Sequence, residues 1–214
     1  MYLPRHFEES RPEVLHAAIR QSGLATLVTL GVEGLVASHI PMLLRAEPAP
    51  WGTLLGHVSR ANPQWRDLAS GVEALAIFLG PDAYVTPSWY PTKRKSGKVV
   101  PTWNYVAIHA YGQLRPFEDP GRLLELVTAL TDRQETPRAE PWRVADAPDD
   151  FIQTQLKAIV GLELTITRLE GKWKMSQNRP TEDATGVVSG LAAEGHPDVA
   201  AIVAERNGLE RPPE

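Results

Sequence analysis

Strand-length apolar runs that follow one another without long helices between them constrain this chain most. A run over 24–30, the turn Gly31-Val32-Glu33-Gly34 and a second run over 35–44 together predict a β-hairpin. Further strands are predicted over 52–58, 72–79, 83–86, 103–114 and 162–175. This succession differs from the strict strand–helix alternation of a doubly wound sheet. It predicts a mainly β (α+β) fold, an antiparallel barrel that is closed or nearly closed, with helices at its periphery.

Helices and turns are predicted between and after these strands. Ser10 and Glu13 have the spacing of a capping box, so the first helix is expected over 11–22. Asn62-Pro63 predicts a short helix to Ala69. Turns are expected at Gly80-Pro81-Asp82 and at Glu170-Gly171. The remaining helices are expected after Asp119-Pro120, then over 149–160, 182–193 and 197–206.

Composition excludes several classes of site. The 214 residues suit one large domain, predicted over 1–214 with C-terminal helices from about 181. With no cysteine, the chain has no disulfide, thiolate nucleophile or cysteine-ligated metal. The first residues lack a secretory signal and no stretch approaches the roughly 20 apolar residues that span a bilayer, so a cytoplasmic protein is expected.

Nucleic-acid binding finds little support in the charge of the chain. The formal net charge is −4, whereas a protein that depends on phosphate-backbone contacts is usually basic. The first helix stands alone, and no pair of adjacent helices with a short glycine turn has the pattern of a helix-turn-helix. A local basic patch in an acidic chain would still allow DNA binding.

The most concentrated polar segment lies between a predicted strand and a predicted helix, over 56–65. Ser59 offers a hydroxyl and Arg60 a cationic fork, next to a helix N-terminus that would suit a phosphate. His57 precedes them and belongs to the same candidate cofactor-binding set. The alternative is ordinary capping, with Asn62 as the N-cap and Arg60 in solvent. The pattern itself does not decide between the two.

Two further segments carry polar groups beside apolar ones. Ser38 and His39 lie inside the second strand and fit a cavity wall, or one of them simply faces outward. Trp89 and the pair Trp103-Asn104 bracket a basic loop over 93–98 and suit a planar ring with polar edges. The alternative is that these aromatic residues are core residues and that the loop is a solvated one.

The segment over 172–180 ends a predicted strand with many hydrogen-bonding side chains, among them Gln177 and Arg179. Its alternative is a polar strand-to-helix connection. Other templates are absent: there is no G-x-G-x-x-G, no P-loop, no H-E-x-x-H and no G-x-S-x-G. No metal site is predicted.

Five segments in this order resemble the PaiB family, whose members are called FMN-binding negative transcriptional regulators. They are Ser-His-Ile-Pro (38–41), Gly-His-Val-Ser-Arg-Ala-Asn-Pro-Gln-Trp (56–65), Pro-Ser-Trp-Tyr (87–90), Val-Pro-Thr-Trp-Asn-Tyr (100–105) and Lys-Met-Ser-Gln-Asn-Arg (174–179). The resemblance implies a split β-barrel, a homodimer, and FMN in grooves at the subunit interface.

The resemblance also implies roles for individual residues. Ser59 and Arg60 would face the FMN phosphate, and Ser38 and His39 would line the flavin groove. A third group would lie near the flavin or the partner subunit: Trp89, Trp103, Asn104, Gln177 and Arg179. Nothing functional is inferred for the tail beyond Leu191.

Three functions remain open from the sequence, which does not decide whether the chain is an enzyme. The first is a regulator that senses FMN. The second is an FMN-dependent oxidoreductase or flavin reductase that uses NAD(P)H, in which His39 or His57 supplies or accepts a proton. The third is a barrel that has lost its cofactor and acts through its dimer surface.

Overall fold

The computed structural model describes residues 1–66, 68 and 72–210. In this part of the chain the strands are β1 (Glu8–Glu9), β2 (Ala25–Gly31), β3 (Gly34–Ile40), β4 (Leu43–Arg45), β5 (Thr53–Ser59), β6 (Ala74–Val85), β7 (Thr102–Phe117) and β8 (Ile159–Lys174). The helices are α1 (Pro12–Gln21), α2 (Thr92–Ser96), α3 (Pro120–Glu135), α4 (Asp149–Lys157), α5 (Thr181–Ala193) and α6 (Pro197–Asn207), with short 3-10 turns at Arg5–Phe7, Pro63–Trp65, Pro87–Trp89 and Val144–Asp146. No described helix is long and apolar enough to cross a membrane.

The strands form an eight-stranded antiparallel sheet in the order β3-β2-β6-β7-β8-β5-β4, with β1 added alongside β8. The hairpin of β2 and β3 pairs Ala25 with Ile40 at one end and Gly31 with Gly34 at the other. β5 pairs with the first part of β8, from Thr53–Thr165 to Ser59–Ile159. Among the described strands the order is an open path, as in a split barrel. The antiparallel split-barrel prediction is confirmed.

The residues group into two compact units. Among the described residues, the first unit comprises 1–10, 79–108 and 170–210, and the second comprises 11–66, 68, 72–78 and 109–169. β6, β7 and β8 each contribute residues to both units. The single domain expected from the length stays a prediction.

The second unit packs helix α3 against one face of β5. Leu55 of β5 is buried with Leu126 and Leu130 of α3, and Leu43 and Phe117 pack against this cluster. Arg133, near the end of α3, donates hydrogen bonds to the carbonyl oxygens of Met42 (3.1 Å), Arg20 (2.5 Å) and Ser22 (2.5 Å). These bonds fix α3 to the end of α1 and to the segment between β3 and β4.

Two predicted turns are wrong because their glycines lie inside strands. β6 continues through Gly80-Pro81-Asp82, and β8 continues through Glu170-Gly171. A Cβ on Gly80 would lie 2.9 Å from the Cβ of Val106, so close packing rather than a turn accounts for glycine there. The predicted second strand is also divided, because it ends at Ile40 and β4 begins at Leu43.

Several predictions around the helices differ from the structure. α1 begins after Arg11, and no side chain caps it, so the predicted capping box of Ser10 and Glu13 is wrong. The basic loop is largely helix α2, which ends at Ser96 and is followed by Gly97 with a φ of 65°. The helix expected from Asn62 to Ala69 is a 3-10 turn over Pro63–Trp65, and its predicted remainder falls partly on residues outside the described ones.

The two helices expected at 182–193 and 197–206 are present as α5 and α6, and a short glycine turn joins them. α5 and α6 are joined by Glu194, Gly195 and His196, and Gly195 has a φ of 84°. The second helix does not present a basic surface, however. Its exposed residues include Asp198 and Glu205, and the Arg206 guanidinium is paired with the buried carboxylate of Glu9 at 2.7 Å.

Gly112 in β7 makes a close approach that should limit which residues can replace it. A Cβ at this position would lie 2.0 Å from the carbonyl oxygen of Thr165. We expect Gly112→Ala to lower the free energy of unfolding by about 2–3 kcal/mol and Tm by roughly 5–10 °C, because the backbones must separate. Gly23→Ala is the matched control, since no atom lies within 4 Å of its added Cβ. Equal melting temperatures for the two variants would contradict this packing.

Candidate functional site

An apolar face of the sheet lies open in the second unit. Alternate residues of β2, β3 and β6 share this side, as the register places Thr26 opposite His39 and Ile77, and Leu30 opposite Leu35. We call it the hairpin face; it consists of Thr26, Val28, Leu30, Leu35, Ala37, His39, Leu75 and Ile77. None of these side chains is buried, and Leu35 is 79% exposed. An open apolar surface of this kind is typical of a binding interface.

Thr26 and His39 are the polar pair of the hairpin face. The Oγ1 of Thr26 and the Nδ1 of His39 are 3.0 Å apart, within hydrogen-bonding distance across the two strands. This contact holds an imidazole on an otherwise apolar surface. His39 therefore lies where a planar ligand on this face would meet a polar group.

Ser38 lies on the opposite side of β3 from His39, because successive residues of a strand alternate. Its hydroxyl accepts a hydrogen bond from the Nδ2 of Asn62 at 3.0 Å. Asn62 also accepts from the backbone N–H of Gln64 at 2.9 Å, and so caps the 3-10 turn. The two adjacent residues expected to line one groove thus face different sides of the sheet.

Arg60 is held by the main chain of neighbouring elements. Its Nε donates to the carbonyl of Lys157 (2.7 Å), one Nη donates to the carbonyl of Ile159 (3.1 Å), and the other pairs with the carboxylate of Glu118. Three of its five N–H groups are thereby engaged, while the side chain keeps 36% exposure. The Oγ of Ser59 accepts from the backbone N–H of Ala61 at 3.3 Å. Their predicted contact with a phosphate depends on the remaining donors.

His57 lines a cavity between β5 and helices α3 and α4. We call it the His57 cavity; its volume is about 260 Å³, and its lining includes Val127, Trp142, Phe151, Leu156 and Ile159. The Nδ1 of His57 is shielded from solvent and has no hydrogen-bond partner among the described residues. Burial lowers the pKa of His57 below its ordinary value of 6.5.

In the first unit, Trp103 and Tyr84 form an exposed aromatic pair. Their ring centroids are 5.9 Å apart in an edge-to-face arrangement. The Nζ of Lys174 donates to the carbonyl oxygen of Trp103 at 2.8 Å and also to the hydroxyl of Thr102. This combination of aromatic rings and an ammonium group suits a flat anionic ligand.

Lys174 is the notable residue that our sequence prediction missed. Burial lowers its pKa first, and the positive charges of Lys172 and Arg179 lower it further. The ammonium groups of Lys172 and Lys174 lie 5.3 and 5.8 Å from the ring centroid of Tyr105. The signal was present as two lysines at i and i+2, which point to the same side of a strand.

Trp89 packs on helix α5 rather than standing free. A Cβ on Gly190 would lie 2.2 Å from its indole ring, and a Cβ on Gly186 would lie 2.0 Å from its carbonyl oxygen. The two glycines, four residues apart on one side of the helix, make room for the tryptophan. Arg179 lies 4.6 Å above the ring of the buried Tyr90 in the same unit.

Asn104 and Gln177 make internal hydrogen bonds. Asn104 is fully buried and exchanges two bonds with the hydroxyl of Ser176, at 3.0 and 3.2 Å. Gln177 accepts from the backbone N–H of Met175 and donates to the carbonyl of Trp173, both at 2.6 Å. These bonds stabilise the backbone where β8 ends, at which Ser176 has a φ of 64°. They leave little of either amide to contact a ligand.

The predicted site residues are therefore divided. Ser38, His39, His57, Ser59 and Arg60 lie in the second unit, and the others, Trp89, Trp103, Asn104, Gln177 and Arg179, lie in the first. Within the second unit, His39 belongs to the hairpin face, whereas His57 belongs to the cavity beside α3 and α4. No group of three or more potential metal ligands occurs among the described residues.

The chain matches a family model over most of its length. The family is described as "Putative FMN-binding domain", and residues 1–168 match it. Protease synthase and sporulation protein PAI 2 of Bacillus subtilis (strain 168) is 30% identical over 198 residues, 92% of this chain and 92% of the relative. The chain belongs to the PaiB family. An uncharacterized protein of Emericella nidulans is 35% identical over 248 residues, which cover 98% of this chain and 99% of the relative.

Solved structures share the fold of this PaiB-family chain at low sequence identity. The FAD and heme binding protein from Mycobacterium smegmatis has a TM-score of 0.56 and 22% identity, over 78% of this chain and 73% of that chain. A flavocytochrome from Azotobacter vinelandii has a TM-score of 0.57 and 12% identity, over 80% and 72%. The family match makes FMN the cofactor of this chain.

The residues of the second unit fit parts of FMN. The hairpin face offers a flat apolar surface with a Thr26–His39 polar pair, which suits a planar ring system with polar edges. Arg60 and Ser59 keep free donors that suit a phosphate. FMN, when bound, supplies redox chemistry that no side chain of this chain provides.

The lowered pKa of His57 predicts how stability depends on pH. The unfolded chain takes up a proton at the ordinary pKa of 6.5, before the folded chain does, so the free energy of unfolding falls as pH drops below that value. His57→Gln removes this pH-dependent contribution to the free energy of unfolding. We expect wild type to lose stability relative to His57→Gln between pH 7.5 and pH 5, as measured by urea denaturation at each pH. A constant difference between the two proteins over this range would contradict the prediction.

Proposed function

We propose that this protein is a cytoplasmic, homodimeric FMN-binding regulator of the PaiB type, in which the hairpin face pairs with a second copy and FMN lies in the groove so formed. The observation that carries the proposal is the open apolar hairpin face with its single Thr26–His39 pair. A single chain would leave this apolar surface in water, and a second copy would cover it.

Several side chains are assigned to the cofactor in this proposal. His39 would meet the polar edge of the flavin, Ser59 and Arg60 the phosphate, and Trp103 with Lys174 a flat or anionic part of the ligand. Trp89, Asn104 and Gln177 would act indirectly, since each is engaged in packing or hydrogen bonds. Ser38 would support the site through Asn62.

Regulation in this proposal does not require that the protein read a DNA sequence itself. The chain is acidic, with a net charge of −4, and the exposed residues of α6 include Asp198 and Glu205. A DNA-recognition helix usually carries arginine or lysine toward the phosphates and bases. We therefore propose that the effect on transcription is indirect.

An FMN-dependent oxidoreductase is the second candidate, favoured by the exposed imidazole of His39 on the hairpin face. A histidine beside a flavin can donate or accept a proton. The two candidates differ in what they predict for NAD(P)H and for transcripts.

The hairpin face gives a direct test of the dimer. We expect Leu35→Asp to shift the protein from dimer to monomer in size-exclusion chromatography with light scattering, because a carboxylate would be buried in an apolar interface. Its visible flavin absorption after FMN loading and desalting should fall at least tenfold. Val72→Asp is the matched control, since Val72 is an exposed apolar residue before β6 and outside the hairpin face. A Leu35→Asp variant that stays dimeric and yellow would refute the assignment of this face.

The regulatory role is tested by deletion and complementation in the source cell. We expect deletion to raise a set of transcripts, and the wild-type gene, but not the Leu35→Asp gene, to restore their level. The purified FMN-loaded protein should not shift DNA at physiological salt, and it should oxidise NAD(P)H no faster than free FMN does. Sustained NAD(P)H turnover with unchanged transcripts would establish the oxidoreductase alternative instead.

A further inference from the structure

The main chain alone is enough to orient the side chain of Arg60. The carbonyl oxygens of Lys157 and Ile159 accept from its Nε at 2.7 Å and from one Nη at 3.1 Å. The backbone N–H of Arg60 also donates to the carbonyl oxygen of Ala158 at 2.8 Å. Because three main-chain groups hold this residue, its guanidinium needs no acidic partner to keep its direction.

An acidic partner is present nevertheless. The carboxylate of Glu118 pairs with the other Nη of Arg60. Glu118 lies between the end of β7 and Asp119, the N-cap of α3. The side chain of Arg60 is 36% exposed and that of Glu118 is 54% exposed, so a solute can reach both. An exposed ion pair of this kind contributes little to stability, and its loss should leave the fold intact.

The acidic residues around Glu118 are engaged with other groups. Asp119 accepts from the backbone N–H of Arg122 at 2.8 Å, and the carboxylate of Glu163 pairs with the guanidinium of the same arginine. Among the described residues, Arg60 is the hydrogen-bonding partner of the Glu118 carboxylate. Glu118 is therefore the acidic group that a ligand of Arg60 would meet.

A phosphate at Arg60 would have to share the guanidinium with this carboxylate. Three of the five N–H groups are engaged, and the two that remain lie one on each Nη. A phosphate bound to both of them would use the Nη that Glu118 also uses. Its negative charge would then lie beside the carboxylate, and the two like charges would repel each other.

We propose that Glu118 is an internal competitor of the FMN phosphate, so that its carboxylate lowers the affinity of the protein for FMN. The inference rests on the assignment of Arg60 to the phosphate in the proposed function. A phosphate that binds to Arg60 weakens or replaces the contact with Glu118, which lies next to the N-cap of α3. An affinity reduced in this way lets the bound fraction follow changes in FMN concentration.

The first test removes the charge of Glu118 and keeps its shape. The dissociation constant of FMN is measured by flavin fluorescence with the full-length protein at low salt. We expect Glu118→Gln to bind FMN about fivefold more tightly than wild type, the upper end of the effect of an exposed ion pair. Unchanged affinity would overturn the proposal, and so would weaker binding, which would make Glu118 a residue that positions Arg60.

Glu125→Gln is the matched control for the change in net charge. Glu125 is an exposed acidic residue of α3, and it is not among the groups that bond to Arg60. Its replacement removes one negative charge from the same helix region, so its FMN affinity should stay within about twofold of wild type. An equal gain in both variants would reduce the effect to net charge and refute the competition.

Riboflavin shows where the carboxylate acts, because it has the flavin ring but no phosphate. The dissociation constant of riboflavin should be the same in wild type and Glu118→Gln. The gain for FMN should shrink as the ionic strength rises from about 0.02 M to about 0.5 M, since salt screens exposed charges. An equal gain for the two flavins, or a gain for FMN that salt does not reduce, would contradict a competition for the phosphate.

Arg60→Met separates this proposal from the phosphate assignment on which it rests. We expect this variant to bind FMN about tenfold more weakly, because a charge-assisted hydrogen bond is lost, and Glu118→Gln to add nothing in the same chain. Weaker FMN binding in Arg60→Met, with no effect of Glu118→Gln on wild type, would contradict only the competition. FMN binding that is unaffected by Arg60→Met would refute the phosphate assignment and the competition together.

Discussion

Main-chain pairing along β8 is the constraint on which much of this structure depends. This strand of 16 residues pairs with β5 through its first part and with β1 near its end. Pairing with β5 sets His57 opposite Gly161 and Ser59 opposite Ile159, so it determines which side of the sheet each polar residue of β5 occupies. A Cβ on Gly161 would lie 2.2 Å from the ring of Phe117, so any other residue there would displace that ring. The position of Arg60 follows from the same pairing, since its guanidinium reaches the carbonyl of Ile159 at the start of β8 and that of Lys157 at the end of α4.

The local parts of the fold could be predicted from the sequence, and the non-local parts could not. The hairpin of β2 and β3 follows from two apolar runs around a glycine-flanked turn, and α1 follows from its apolar stripe. The same reasoning failed at Gly80 and Gly171, because a glycine inside a strand has the same local signal as a glycine in a turn. Only the distant Val106 shows why Gly80 is a glycine. Both C-terminal helices, and the break between them, were predicted to within one residue.

The candidate site shows a similar division. Five ordered segments were enough to predict the family, but they did not tell which side chains meet a ligand. Ser38 and His39 are neighbours in sequence yet face opposite sides of a strand. The side-chain amide of Asn104 is hydrogen-bonded to Ser176, which lies 72 positions away in the chain. A sequence motif contains residues that pack and residues that bind a ligand. Only the long-range contacts of the folded chain show which residue does which. Lys174 begins the last of the five motifs but was not among the predicted site residues, although burial and two neighbouring positive charges lower its pKa.

The contact between Trp89 and the two glycines of α5 has a consequence for how this family can change. The ring of Trp89 occupies the space that a side chain at position 190 would otherwise fill. A larger residue at 190 would clash with the ring, and a smaller residue at 89 would leave a void. A relative with a smaller residue at 89 could therefore carry a larger one at 190, and a relative that keeps the tryptophan could not. The pair should therefore pass through evolution as a unit, whatever becomes of the flavin.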